Sequence, residues 1–221
     1  MKKITPQMRV LLAVTAAALV TLGCASAPNV AELNTLTQQI VKASFRDQGI
    51  VKASTLINTD ETNKACSEAD ALGKPLDEKT AKLIEEINMK AIKWPSDGKF
   101  IGDWKEGEKI AQNGRGLTFT DDDKTVNGGN CYNCHKIDDK EISYGTIGPS
   151  LHNYGKIRGV TDPNSAASKL IVEYTWGKVW NAKAYNACSN MPRAGHSGIL
   201  TEAQVRHVVG LLLDPKSPVN Q

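Results

Sequence analysis

An all-α fold is the class this sequence predicts, and three observations predict it. Thr201 followed by Gln204 forms a capping box that opens an apolar stripe of Val205, Val208, Val209 and Leu212, spaced i, i+3, i+4 and i+7. A second helix start stands at Asp103, with Glu106 three residues on and Asn113-Gly114 as a stop. The alternating patterns that half-buried strands need are few, and no internal repeat divides the chain.

Taken in order, residues 1–27 read as an export signal. Lys2, Lys3 and Arg9 form a charged start, Val10 to Gly23 is an apolar run too short to span a bilayer, and small residues follow. Two cleavage routes are open. Thr21-Leu22-Gly23-Cys24 resembles a lipobox with its Leu one position late, which would leave a lipid on Cys24; Ala25 to Ala27 offer ordinary cleavage, although Pro28 would follow a cut after Ala27. Either route predicts a periplasmic protein that meets the membrane only through such an anchor. Of 27 basic residues, Lys2, Lys3 and Arg9 leave with the signal, so 24 remain against 24 acidic ones. Net charge therefore points to no partner, and no Lys/Arg-rich block with interleaved aromatics suggests nucleic acid.

Residues 28–94 read as a helical extension. Val30, Leu33, Ile40, Val41 and Phe45 follow a helical period that stops near Gly49. After a polar stretch containing Cys66 and the break at Gly73-Lys74-Pro75, Leu83, Ile84, Ile87 and Ala91 share one face, with Glu86 and Lys90 able to pair one turn apart. Trp94 precedes Pro95, which disfavours helix, and Pro95-Ser96-Asp97-Gly98 reads as a turn. A second domain is expected over residues 95–221. Its first helix, Asp103 to Gln112, contains Gly107, which costs about 1 kcal/mol relative to Ala. Close approach by the C-terminal helix, running from Thr201 to Asp214-Pro215, is the expected compensation. A further helix is expected at about 164–178, carrying Leu170, Ile171, Tyr174 and Trp176.

The run Cys131-Tyr132-Asn133-Cys134-His135 carries the chemistry. Two thiols separated by two residues can add across both vinyl groups of a porphyrin, and the adjacent imidazole can then ligate the iron. A zinc site would need a second Cys/His pair at suitable spacing, and a thioredoxin-type pair does not call for the His. One such motif predicts one covalently bound haem c. First and last helices crossing over a haem, with the attachment motif soon after the first, resemble the class I cytochrome c fold, here with an N-terminal helical extension.

The sixth iron position has Met89, Met191, His152, His196, His207 and Cys188 as candidates. Met191 stands out: it lies 56 residues beyond His135 in Asn190-Met191-Pro192-Arg193, shortly before the last helix, the place from which class I cytochromes supply their Met. A thioether favours the ferrous state and keeps substrates off the iron, so His135/Met191 ligation predicts electron transfer, with no catalytic residue on this chain. A backbone carbonyl near Gly148-Pro149 is placed to accept the free ring N–H of His135, which makes Pro149 a supporting residue. Cys66 and Cys188 are left over: a disulfide, a bond to another subunit and a free thiol all remain open.

Gly102-Asp103-Trp104-Lys105, Gly129-Asn130 with the haem motif, the block from Glu141 to Leu151 (EISYGTIGPSL) and the block from Asn181 to Arg193 (NAKAYNACSNMPR) resemble the SoxX family, monohaem subunits of bacterial sulfur oxidation. The likeness runs from about residue 88 to Asn220. It implies a heterodimer with a SoxA-like haem subunit that joins thiosulfate to a cysteine of a sulfur-carrier protein (L-cysteine S-thiosulfotransferase activity). The reacting cysteine would lie on the partner. This chain would pass the electrons to a small acceptor cytochrome, with Cys131, Cys134, His135 and Met191 as its haem ligands. A free-standing periplasmic shuttle, and a haem enzyme or gas sensor with an open iron, are the competing expectations.

Overall fold

The computed structural model describes residues 29–57 and 60–221; the expected export signal, Cys24 included, lies outside the described residues. Contacts divide the chain into two units, Met1–Arg46 and Asp47–Gln221. In the first, helix α1 (Val30–Ser44) opens with a capping box in which Asn29 accepts the Glu32 N–H and Glu32 accepts that of Asn29. It buries no residue, and Phe45 ends it in an extended conformation.

The second unit is larger than the domain expected over residues 95–221, because it also takes in α2 (Glu61–Ala71) and α3 (Glu78–Lys90). Asp60 and Asp77 cap these helices by accepting the N–H groups of Asn63 and Thr80. The reason for the wider unit is a set of long-range ties. Cys66 of α2 forms a disulfide with Cys188, Asn88 of α3 receives the Asn181 amide, and the Trp176 indole N–H reaches the Lys93 carbonyl at 2.9 Å. The α3 face also differs from the pattern Leu83, Ile84, Ile87, Ala91. Ile84 and Asn88 are buried while Leu83 and Ile87 lie exposed, since the buried side is chosen by the Asn88–Asn181 pair. The ion pair on this helix joins Glu78 to Lys82, in place of the expected one between Glu86 and Lys90.

Three helices build the core: α4 (Trp104–Gln112), α5 (Lys169–Trp180) and α6 (Glu202–Leu213). Between α4 and α5 the chain runs through loops and single 3-10 turns, and among the described residues the only β pairing is an isolated bridge between Gln48 and Val51. Helix α5 begins later than the sequence suggests. Ser165 and Ser168 hydroxyls both donate to the Asp162 carbonyl and hold a 3-10 turn at Ala166–Ser168 before the α-helix opens.

Helix α6 starts with the expected box between Thr201 and Gln204 and buries Val205, Val208, Val209 and Leu212. Leu211 and Leu213 are buried too, so the helix is covered on more than one face. Its terminal carbonyls are not orphaned. The Ser217 hydroxyl donates to Leu211 O at 2.6 Å, and Asn220 Nδ2 donates to Leu212 O at 3.1 Å and Asp214 O at 3.0 Å.

The approach of α4 to α6 is backbone against backbone. A Cβ on Gly107 would sit 2.1 Å from His207 O, and one on Gly210 would sit 2.4 Å from Gly102 O. The Gly102 N–H donates to Arg206 O at 2.9 Å, and the Asp103 N–H donates to His207 Nδ1 at 2.9 Å. That last bond alters the α4 cap. Asp103 accepts the Lys105 N–H, but its own N–H is already taken by His207, and Glu106 pairs with Lys109 instead of reaching back.

Gly107→Ala is expected to destabilise the fold by about 2 kcal/mol despite the higher helix propensity of Ala, because the crossing must open to admit a methyl; a gain in stability on chemical denaturation would overturn the close crossing. The Arg206 guanidinium, bonded to both carboxylate oxygens of Asp97, holds that carboxyl down at about 2. The tie is therefore complete above the ordinary value of 3.8 and is lost as pH falls through about 2. Carbon-detected NMR titration of Asp97 should show this depressed midpoint, and Arg206→Ala should return it toward 3.8; an unmoved midpoint would contradict the pairing.

Candidate functional site

The attachment motif is built on the end of α4. The Gly129 N–H donates to Ile110 O at 2.8 Å and the Asn130 N–H to Asn113 O at 3.0 Å, so the last carbonyls of the helix seize the incoming chain. Asn130 sits in the left-handed region at φ 49°, a conformation Asn tolerates, and turns the backbone into a 3-10 turn at Cys131–Asn133. The Cys134 and His135 N–H groups both donate to Cys131 O, at 3.1 and 2.9 Å. Both thiols are free, unlike Cys66 and Cys188. Burial pushes the Cys131 thiol up to about 11, which keeps it protonated in neutral solution. Tyr132 is buried in the core.

His135 is held from behind. Its Nδ1 lies 2.6 Å from the Pro149 carbonyl oxygen. A carbonyl can only accept, so Nδ1 carries the proton, and Nε2 of the neutral ring is left with a lone pair free to bind a metal. The loop that supplies this carbonyl runs beside the motif through three backbone bonds: Gly145 N–H to Tyr132 O at 2.9 Å, Gly148 N–H to Cys134 O at 2.8 Å and Leu151 N–H to Lys136 O at 2.7 Å. Two glycines make the approach feasible. A Cβ on Gly148 would stand 2.2 Å from Cε1 of the His135 ring, and one on Gly145 would stand 1.9 Å from Asn133 O. The Gly148-Pro149 turn stands out in the sequence, but its glycine is needed by the imidazole as much as by the turn.

Among the candidates for the second axial position, Cys188 is consumed in its disulfide. His207 accepts the Asp103 N–H, and His152 Nε2 faces Asp139 at 3.2 Å and the Asn153 amide at 2.7 Å. His196 is exposed, and Met89 lies on α3 beside Glu85, Glu86 and Lys90. Met191 is half-buried and packs against the same core as Cys131, and its N–H donates to the Ser189 hydroxyl at 3.2 Å.

Trp180 is a residue that sequence reasoning passes over. Its indole stacks on Trp176 at 5.6 Å, a Cβ on Gly195 would strike its ring, and its buried Nε1–H has no partner among the described residues. A buried donor left unpaired costs about 1–3 kcal/mol. The two free thiols and the adjacent imidazole with its tautomer set fit a covalently attached haem. The signal of Trp180 in the sequence is slight, since an indole N–H announces itself only when burial leaves it unpaired.

Comparison with known proteins agrees with this chemistry. The Cytochrome c family model matches residues 104–214, from the first residue of α4 to the cap of α6. An uncharacterized lipoprotein of Aquifex aeolicus (strain VF5) is 36% identical over 169 residues, which cover 73% of this chain and 73% of that protein. A cytochrome c domain implies covalent haem c and electron transfer, and with its motif, its helices and this match together, the chain belongs to the cytochrome c family.

Proposed function

We propose that this chain is the electron-transfer subunit of a periplasmic, SoxAX-like thiosulfate-oxidising complex. The observation that carries the reading is the pair of long blocks, 141–151 and 181–193, which resemble SoxX and which generic cytochromes c do not share. The first contains the Pro149 carbonyl that faces His135, and the second contains Met191. The lipoprotein name of the Aquifex relative favours the lipobox route at Cys24.

In this reading Cys131 and Cys134 would hold one haem c through thioether bonds, and His135 Nε2 and the Met191 thioether would bind its iron. Bound haem c supplies a one-electron ferric/ferrous couple. Pro149 accepts the imidazole N–H, which raises the ligand strength of Nε2, and Gly148 leaves room for the ring in that orientation. A neutral soft thioether from Met191 would favour the reduced state and keep small reagents off the iron. The chain thereby receives electrons from a SoxA-like haem subunit and passes them to a small acceptor cytochrome, while the partner carries out sulfur chemistry on the carrier protein.

Denaturing electrophoresis of the exported product should leave haem colour on the polypeptide, with a mass gain of one haem; colour that washes away would remove the attachment at Cys131 and Cys134. Thiosulfate-dependent reduction of an added cytochrome should require a co-purifying haem subunit together with this chain. Turnover by the chain alone would overturn the division of labour, and isolation as a monomer that reduces several acceptors would favour a free-standing shuttle.

A further inference from the structure

Four ties join α2 and α3 to the loop that carries Met191. The Asp60 carboxylate, at the cap of α2, pairs with Arg193, two residues past Met191. Cys66, within α2, is bonded to Cys188, three residues before it. On α3, Glu85 Oε1 accepts the Ala187 N–H at 3.2 Å, and Asn88 accepts the Asn181 amide at both its backbone oxygen, 3.2 Å, and its side-chain oxygen, 3.0 Å. The order is antiparallel: as the chain advances through Asp60, Cys66, Glu85 and Asn88, the partners recede through Arg193, Cys188, Ala187 and Asn181. The Asn88–Asn181 pair is buried, so its bonds are shielded from competing water.

Between Trp180 and Glu202 the chain forms nothing longer than a 3-10 turn, and its own backbone bonds fall at 181–189 and 193–200, on either side of Met191. The ties at Cys188 and Arg193 bracket Met191 and leave only residues 189–192 between them. Shortening a free loop in this way cuts the entropy of holding its middle in one place. A neutral thioether is a weak ligand whose occupancy depends on that local concentration.

We propose that α2 and α3 are a clamp for the sixth iron ligand, with Asp60, Cys66, Glu85 and Asn88 acting as positioning residues through the Met191 loop. The inference rests on the reading of Met191 as axial ligand and assigns a role to a segment that carries no haem motif. A device that only stabilised the fold would change the denaturation midpoint and leave the iron's spectrum and ligand access alone. A clamp changes both while the helices stay intact.

The test uses the full haem-loaded protein and three variants: Met191→Ala, the double variant Cys66→Ser/Cys188→Ser, and Asp60→Asn. The readouts are the Met–iron charge-transfer band of the ferric protein, carbon monoxide affinity of the ferrous protein, the midpoint potential, and helix content by circular dichroism. Met191→Ala should abolish the band; a persistent band refutes the axial assignment itself. With that assignment standing, the double variant should keep its helix content, weaken the band, lower the potential and raise apparent carbon monoxide affinity by roughly tenfold, since affinity scales with the fraction of molecules in which Met191 is displaced. Asp60→Asn should move the same readouts in the same direction by a smaller factor, and it decides the matter if the double variant fails to fold. Unchanged band, potential and affinity in a folded clamp variant would overturn the clamp while leaving Met191 as ligand.

Discussion

The contact on which the rest of this cytochrome depends is the crossing of α4 and α6, where Gly107 faces the His207 carbonyl with no side chain between them. Helices that meet at backbone distance lock their relative position more tightly than helices separated by long, adaptable side chains. The arrangement is reinforced from both partners, since Gly210 faces the Gly102 carbonyl and His207 accepts the Asp103 N–H. Because the last carbonyls of α4 receive Gly129 and Asn130, the crossing also fixes where the attachment turn begins. A small error there would move Cys131, Cys134 and His135 together.

The two sides of the candidate haem site are secured by different physics. On the His135 side the support is local and made of backbone, three bonds between residues 132–136 and 145–151 with a carbonyl aimed at the ring. Each such bond contributes about 1 kcal/mol to stability, but its larger effect is geometric, since it fixes the tautomer and leaves one nitrogen for metal. On the Met191 side the supports come from far away in sequence, a disulfide, an ion pair and an amide pair reaching from residues 60–88. That contrast matches the ligation proposed above, in which a strong imidazole would serve one face and a weak thioether the other.

Helix ends governed by adjacent side chains are legible in the amino-acid string: Thr201 with Gln204 opens α6, and the Val205 to Leu212 stripe is buried. The Gly107 compensation is legible for a related reason, because a helix-breaking residue inside a good helix demands a close neighbour. The expected box at Asp103 gives way to a distant residue, as His207 occupies the N–H that Glu106 would have taken. The expected boundary near residue 94 marks a real turn, with the Gly98 N–H bonded to the Pro95 carbonyl, yet turns do not separate units that are tied elsewhere. Leu83 and Ile87 are equivalent to Ile84 by spacing alone, and the Asn88–Asn181 pair is what selects one side of α3.

By itself, then, the sequence determined what is encoded at short range: an all-helical chain, the Cys131-Tyr132-Asn133-Cys134-His135 motif, the Thr201–Gln204 cap of α6 and the cytochrome c family. Signals that act within a few residues and meet no distant competitor are carried by a linear string. Only the tertiary structure decided that Cys66 meets Cys188, that Gly148 must be glycine for the sake of the His135 ring, and that Trp180 buries an N–H with no partner among the described residues. Those facts depend on which surfaces remain after the helices have packed, and no local pattern records that.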